Sequence, residues 1–137
     1  MEGLTSGRFQ DVLGIELVEA TADRVVYTCP VAEHLLQPYG IVHGGVYCSI
    51  VETAASVAGA IWFGDRGHVV GVSNNTNFIR AHREGTLTAT ATPLQRGRTQ
   101  QLWQVEIVDG QQRLIAHGQV RLANIQNADN LGQPAGS

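Results

Sequence analysis

The chain has 137 residues, 43% hydrophobic and 15% charged, which suits one globular domain with a real core and excludes a disordered segment. Its formal charge of −3, with no basic cluster, excludes a polyanion-binding surface, so no nucleic-acid partner is expected. All nine basic residues are arginine, which excludes lysine Schiff-base and lysine-base chemistry.

Residues 5–13 read as a short helix with Phe9, Val12 and Leu13 on one face, stopped by Gly14. Residues 15–20 and 24–31 read as two strands joined near Ala22 and Asp23, the second rich in valine. A loop holding Pro38 and Gly40 covers residues 34–42. A helix follows from about 44 to 62, closed by Gly64-Asp65-Arg66-Gly67.

The second half is strand-like. Residues 69–80 form a long strand with an unusually polar middle. Thr86, Thr88, Thr90 and Thr92 alternate with Leu87, Ala89 and Ala91 at a period of two. Trp103, Val105 and Ile107 alternate with Gln104 and Glu106 before a turn at Asp109-Gly110. In the last strand Leu114, Ala116, Gly118, Val120 and Leu122 share one face; Ile115, His117, Gln119 and Arg121 share the other. One helix and five or six mainly antiparallel strands predict an α+β domain whose sheet curls around the helix. Composition places that single domain at residues 1–123 and a flexible tail at 124–137.

Cys29 and Cys48 are too few for a disulfide framework. The N-terminus lacks a signal-peptide pattern, and no apolar segment reads as a span without a break. A soluble protein of the reducing cytoplasm, without a membrane partner, is the expectation.

Glu52 is the one charged residue between Gly44 and Gly64. A helix so free of polar faces should be buried, and a carboxylate there is costly unless it is paired or hydrogen-bonded. Catalytic acids and bases occupy such places. Dinucleotide, Walker and serine-hydrolase signatures are absent, and His34, His43 and the two cysteines lack zinc-site spacing, so no metal or organic cofactor is expected.

The segment Gln37-Pro38-Tyr39-Gly40-Ile41-Val42-His43-Gly44-Gly45 leads into this helix. Glycines at a helix start let a ligand approach free N–H groups, where the helix dipole favours developing negative charge. That arrangement suits acyl transfer, with Glu52 as general base or nucleophile and Gln37 orienting water or substrate. The alternative is a tight turn at Gly44-Gly45 and a satisfied core carboxylate at Glu52. Gly44 and Glu52 are eight residues apart, about 12 Å along a helix rising roughly 1.5 Å per residue. If both act on one carbonyl, they come from different subunits, which a two-fold dimer supplies twice.

The Gln-x-x-x-x-x-His-Gly-Gly motif at residues 37–45, the helical Glu52 and the strand-rich second half resemble the hotdog-fold acyl-CoA thioesterases. Within them the chain is most similar to the phenylacetate-pathway type and the Arthrobacter-type 4-hydroxybenzoyl-CoA thioesterases, over roughly residues 10–123. The resemblance implies a hotdog fold and hydrolysis of an acyl-CoA, aromatic by analogy, in a dimer that pairs into a tetramer. It implies Glu52 as catalytic carboxylate, Gly44 as the amide polarising the thioester carbonyl, and Gln37 as an orienting group. It further implies that Ser56 assists water, that Ser73 lies near the nucleophilic water, and that His43 supports the loop more than it moves protons.

Many relatives carry Asp where this chain has Glu52, so direct attack and water activation both stand. Arg80, Arg83, Arg96 and Arg98, with Thr99, are candidates for the coenzyme A phosphates, because guanidinium forks match phosphate oxygens. Tyr47, Trp62 and Phe78 are candidates for an acyl pocket, against the alternative of plain core or interface. A hotdog dehydratase, a non-catalytic acyl-CoA-binding protein and a structural scaffold are the competing classes. Glu52 and the absence of a clear His/Asp dyad weigh against them.

Overall fold

The computed structural model describes residues 7–126. Helix α1 (Arg8–Leu13) precedes strands β1 (Glu16–Ala20) and β2 (Val25–Pro30), and short 3-10 turns cover Glu33–Leu35 and Gly64–Arg66. Helix α2 (Gly44–Phe63) follows, then β3 (Gly67–Phe78), β4 (Thr86–Arg96), β5 (Gln100–Val108) and β6 (Leu114–Gln126). The strands form one antiparallel sheet in the order β1-β2-β4-β5-β6-β3. It curls around α2, which is the hotdog architecture that the resemblance implies.

Period-two patterning produces this core directly. Leu87, Ala89 and Ala91 of β4, and Trp103, Val105 and Ile107 of β5, are buried against α2. From the helix Ile50, Val51, Ala54, Ala55 and Ala58 meet them, each at most 1% exposed. A buried side chain of valine size or larger contributes about 1.5–3 kcal/mol, so the stripe outweighs the modest helix propensity of its valines and glycines. Close approach needs small residues: a Cβ at Gly59 would lie 2.2 Å from Leu122 Cδ1, and one at Gly118 would lie 2.7 Å from Val51 Cγ1.

By length and hydropathy the stretch Gly44–Arg66 is sufficient to span a membrane, which corrects the expectation that no segment reaches that length. The sheet accounts for its apolarity: it is a core helix, with Val51, Ala54, Ala55 and Ala58 fully buried. Its C-terminal end carries Arg66, whose Nε donates to the Phe63 carbonyl at 2.8 Å and whose Nη2 donates to that of Trp62 at 2.7 Å. The same guanidinium stacks on the Trp62 ring at 4.4 Å.

Four register shifts interrupt the alternation. Val18, Val72, Leu94 and Ile115 are the residues left without a partner across these shifts. The first three are 62%, 58% and 47% exposed, which explains three apolar side chains on the surface. The fourth reverses an expectation: Ile115 is buried with Ala116, while Leu114 is 37% exposed, because the shift rephases the start of β6. β6 also runs on through Asn124, Ile125 and Gln126, beyond the boundary that composition suggests. The expected tail at 127–137, and Thr5 and Ser6 of the expected first helix, lie outside the described residues.

β3 is an edge strand. It pairs with β6 on one side only, and residues 71–75 are all exposed. Beside them Val72, Phe78 and Ile79 leave more than half their surface open.

Candidate active site at the start and middle of helix α2

Val42 N–H donates to the His82 carbonyl and His43 N–H to the Leu35 carbonyl, each within 2.9 Å, which delivers the chain to the start of α2. His43 is the N-cap, and its Nδ1 accepts from Gly45 N–H at 2.8 Å. The accepting Nδ1 leaves Nε2 as the donor of the ring. Among the residues implied for the site, His43 is the one that caps the helix.

Gly44 is the first helical residue, so its N–H has no acceptor one turn earlier within the helix. Phe78 lies across it: a Cβ at Gly44 would fall 2.5 Å from the ring. Gly44, Gln37, Tyr47, Phe78, Ile79 and Arg80 line a cleft of about 270 Å³, together with Ile41, Val42 and Ala81. Gln37 closes its own turn, its N–H donating to the Ile41 carbonyl at 2.8 Å and its Oε1 accepting from Tyr39 N–H. The side-chain Nε2 donor has no hydrogen-bond partner among the described residues.

The Tyr47 and Phe78 rings pack with centroids 5.8 Å apart. Burial, with a smaller contribution from Cys29, pushes the Tyr47 hydroxyl up to about 12, so it stays neutral. Tyr47 and Phe78 are thus pocket-lining aromatics, whereas Trp62 lines no cleft with Gly44 or Glu52 and packs on Arg66 instead.

Glu52 opens into a different cleft, about 500 Å³, lined by Gln10, Glu52, Thr53, Ser56, Val57, Ala60, Gly64, Gly67, His68 and Val69. Among the described residues, none lines both clefts. The carboxylate is half-buried rather than enclosed. Asn74 Nδ2 donates to Glu52 Oε1 at 3.2 Å and to the Cys48 carbonyl at 3.0 Å. Thr76 Oγ1 in turn donates to Asn74 Oδ1 at 2.7 Å, which orients the amide. Gly71 provides the space, since a Cβ there would sit 2.0 Å from Glu52 Oε2. Ser56, one turn after Glu52, shares its cleft; Ser73 is exposed on β3 and lines neither cleft.

The arginines divide. Arg80 lines the Gly44 cleft. Arg83 Nη1 donates to the carbonyls of Tyr39 and Gly40 at 3.2 and 3.3 Å and so pins the loop beside that cleft. Arg96 pairs with Asp23 at 2.8 Å and stays in the framework. Arg98 and Thr99 occupy the exposed β4–β5 turn, which Asn124 holds by donating to the Gly97 and Arg98 carbonyls and, through its N–H, to that of Thr99.

Asn74, Gly71 and Gln10 were invisible to motif reading. Their contacts with the Glu52 region arise from strand and helix packing, not local spacing. The available signal was the run of polar residues 73–77 inside a strand, which a plain core strand would not carry.

Comparison with known proteins gives these clefts a chemical setting. The thioesterase superfamily matches residues 39–116. The 1,4-dihydroxy-2-naphthoyl-CoA hydrolase of Escherichia coli K12 is 32% identical over 123 residues, 90% of each chain. Among solved structures, AziG of S. sahachiroi is 50% identical with a TM-score of 0.86, covering 88% of this chain and 98% of that one. A thioesterase of Haemophilus influenzae is 34% identical with a TM-score of 0.87, covering 94% and 90%. The chain belongs to the thioesterase superfamily, as a hotdog-fold hydrolase of thioesters.

Proposed function

We propose that the chain hydrolyses an aromatic acyl-CoA at sites shared between two protomers. Each site takes Glu52 and Ser56 from one protomer, and Gly44, Gln37 and Arg80 from its partner. The observation that carries this reading is the separation of Gly44 and Glu52 into two clefts with no lining residue in common. Neither cleft alone holds both a carboxylate and a helix N-terminal amide. The open β3 edge, with Val72, Phe78 and Ile79 exposed beside it, supports self-association at this place.

In this reading the thioester carbonyl oxygen accepts from Gly44 N–H, where the positive end of α2 favours the charge that develops on attack. Glu52, held by Asn74, either adds to the carbonyl carbon itself or takes a proton from the attacking water. The C–S bond breaks and coenzyme A leaves as the thiol; water supplies the hydroxyl of the free acid and the thiol proton, directly or, after attack by Glu52, by hydrolysing the Glu52–acyl anhydride. Gln37 Nε2 orients the substrate. Ser56, sharing the cleft with Glu52, positions the water. Arg80 reaches the coenzyme A side of the site with a guanidinium suited to phosphate.

The aromatic acyl group is supported by Tyr47 and Phe78 in the Gly44 cleft and by the naphthoyl-CoA substrate in the name of the E. coli relative. Two free cysteines fit a reducing, cytoplasmic setting. The direct experiment is thiol release over a panel of aliphatic and aromatic acyl-CoAs, with wild type and Glu52→Ala. Aroyl-CoA turnover that falls about 100-fold or more in Glu52→Ala is expected for loss of a general base. Unchanged turnover in the variant removes Glu52 from the chemistry, and a purely aliphatic profile removes the aromatic assignment.

A further inference from the structure

The turn that carries Gln37 and leads to Gly44 is closed at its base and bare at its tip. Gln37 N–H donates to the Ile41 carbonyl at 2.8 Å and Gly40 N–H to the Gln37 carbonyl at 2.9 Å, while Leu36 bridges to Val42. At the tip Pro38 is exposed and Tyr39 leaves 85% of its surface open, so apolar burial does little to hold it. Arg83 reaches this tip from the connection between β3 and β4. Its Nη1 donates to the Tyr39 carbonyl at 3.2 Å and to the Gly40 carbonyl at 3.3 Å, one hydrogen for each acceptor. Gly40 fits this contact twice over: its φ of 81° is left-handed, and a Cβ there would lie 3.1 Å from Arg83 Nη1. The neighbouring His82 carbonyl accepts from Val42 N–H at 2.8 Å, so two adjacent residues grip the turn at tip and base.

Resting on the assignment of Gly44 and Gln37 to the thioester, we propose that Arg83 is a positioning residue for the hydrolysis and not a ligand of the coenzyme A phosphates. It fixes the tip of the 37–42 turn, and with it the placement of Gln37 and the approach of the chain to Gly44. Arg80, three residues earlier, lines the Gly44 cleft; Arg83 does not, and its Nη1 is committed to the backbone of the turn. The effect on rate follows from geometry, because a displacement of about 1 Å in a group that meets the substrate can cost about 100-fold.

The test measures kcat/KM for the best aroyl-CoA substrate and for the matching aroyl-pantetheine, which keeps the thioester and carries no phosphate. Wild type, Arg83→Met and Arg83→Lys are compared. Arg83→Met should lower kcat/KM about tenfold to 100-fold, by the same factor for both substrates and mainly through kcat. Arg83→Lys, which keeps a charged donor, should recover part of the loss. Backbone hydrogen exchange in Arg83→Met should quicken in the 37–42 turn and stay as in wild type in the buried strands, which separates a loosened turn from a misfolded chain. A loss confined to the aroyl-CoA would mean a phosphate contact and overturn the proposal, as would unchanged turnover or unchanged exchange in the turn. Turnover that survives Gly44→Leu would instead overturn the site assignment on which the proposal rests.

Discussion

Asn74 Nδ2 lies 3.2 Å from Glu52 Oε1 and 3.0 Å from the Cys48 carbonyl, so one amide ties strand β3 to two successive turns of α2. The same strand forms the open edge of the sheet. In the proposed shared site, a second protomer docked on that edge would lie beside the strand that holds the carboxylate.

Removing the Asn74 amide should leave Glu52 in place but less well oriented. For Asn74→Ala, kcat should fall about tenfold, equivalent to about 1.4 kcal/mol, with KM within about twofold. Steady-state kinetics on a hydrolysed aroyl-CoA checks this. An unchanged kcat would mean that Asn74 serves packing only.

Gly71→Ala attacks the same carboxylate from the other side. The new Cβ would lie 2.0 Å from Glu52 Oε2, so the side chain must swing away. A displacement of about 1 Å can cost about 100-fold in rate. Activity should fall by roughly that factor while circular dichroism retains the native fold, since Gly71 lies on an exposed strand.

Asp109 offers a stability test remote from the clefts. It caps the β5–β6 hairpin: its Oδ1 accepts from Gln111 and Arg113 N–H, each at 2.9 Å, and its Oδ2 pairs with Arg113 Nε at 2.7 Å. Burial alone would raise this carboxyl, but the Arg113 and Gln111 hydrogen bonds prevail and hold it at about 2, below its ordinary 3.8. A depressed carboxyl stabilises the fold above its unfolded-state value and loses that contribution as pH falls toward 2. Asp109→Asn should therefore melt below wild type at pH 7, and the two Tm values should converge between about pH 4 and 2. A difference in Tm that does not change with pH would contradict this account.

The sequence made the fold legible where one periodicity met one partner. β4 from Thr86 to Thr92, and β5 throughout, alternate because one face packs on α2 and the other faces outward. Legibility failed where β6 begins, since the bulge that buries Ile115 depends on register with Ile107 and Val108, not on its own neighbours. Gln101 shows a similar limit. It is fully buried on β5 because its Nε2 donates to the Gly59 carbonyl and to Asn124 Oδ1, while Trp103 Nε1 donates to its Oε1. Gln37, Gly44 and Glu52 stand out as candidates through one motif and one isolated charge. Asn74 and Gln10 do not, because residues far apart in sequence meet Glu52 and its cleft only after folding.

The most direct test of the shared-site account is subunit complementation. Glu52→Ala and Gly44→Leu should each be inactive, the second because a side chain at Gly44 collides with Phe78 and crowds the amide. The two variants, carrying different tags, are unfolded together, refolded, and the mixed dimers confirmed by tandem purification. In a mixed dimer one site carries both lesions and the other carries none. About half of randomly assorted dimers are mixed, so thiol release should recover to about a quarter of wild type in the unfractionated mixture and to about half in the purified mixed dimers. No recovery in confirmed mixed dimers would contradict the account and place each working site within one chain.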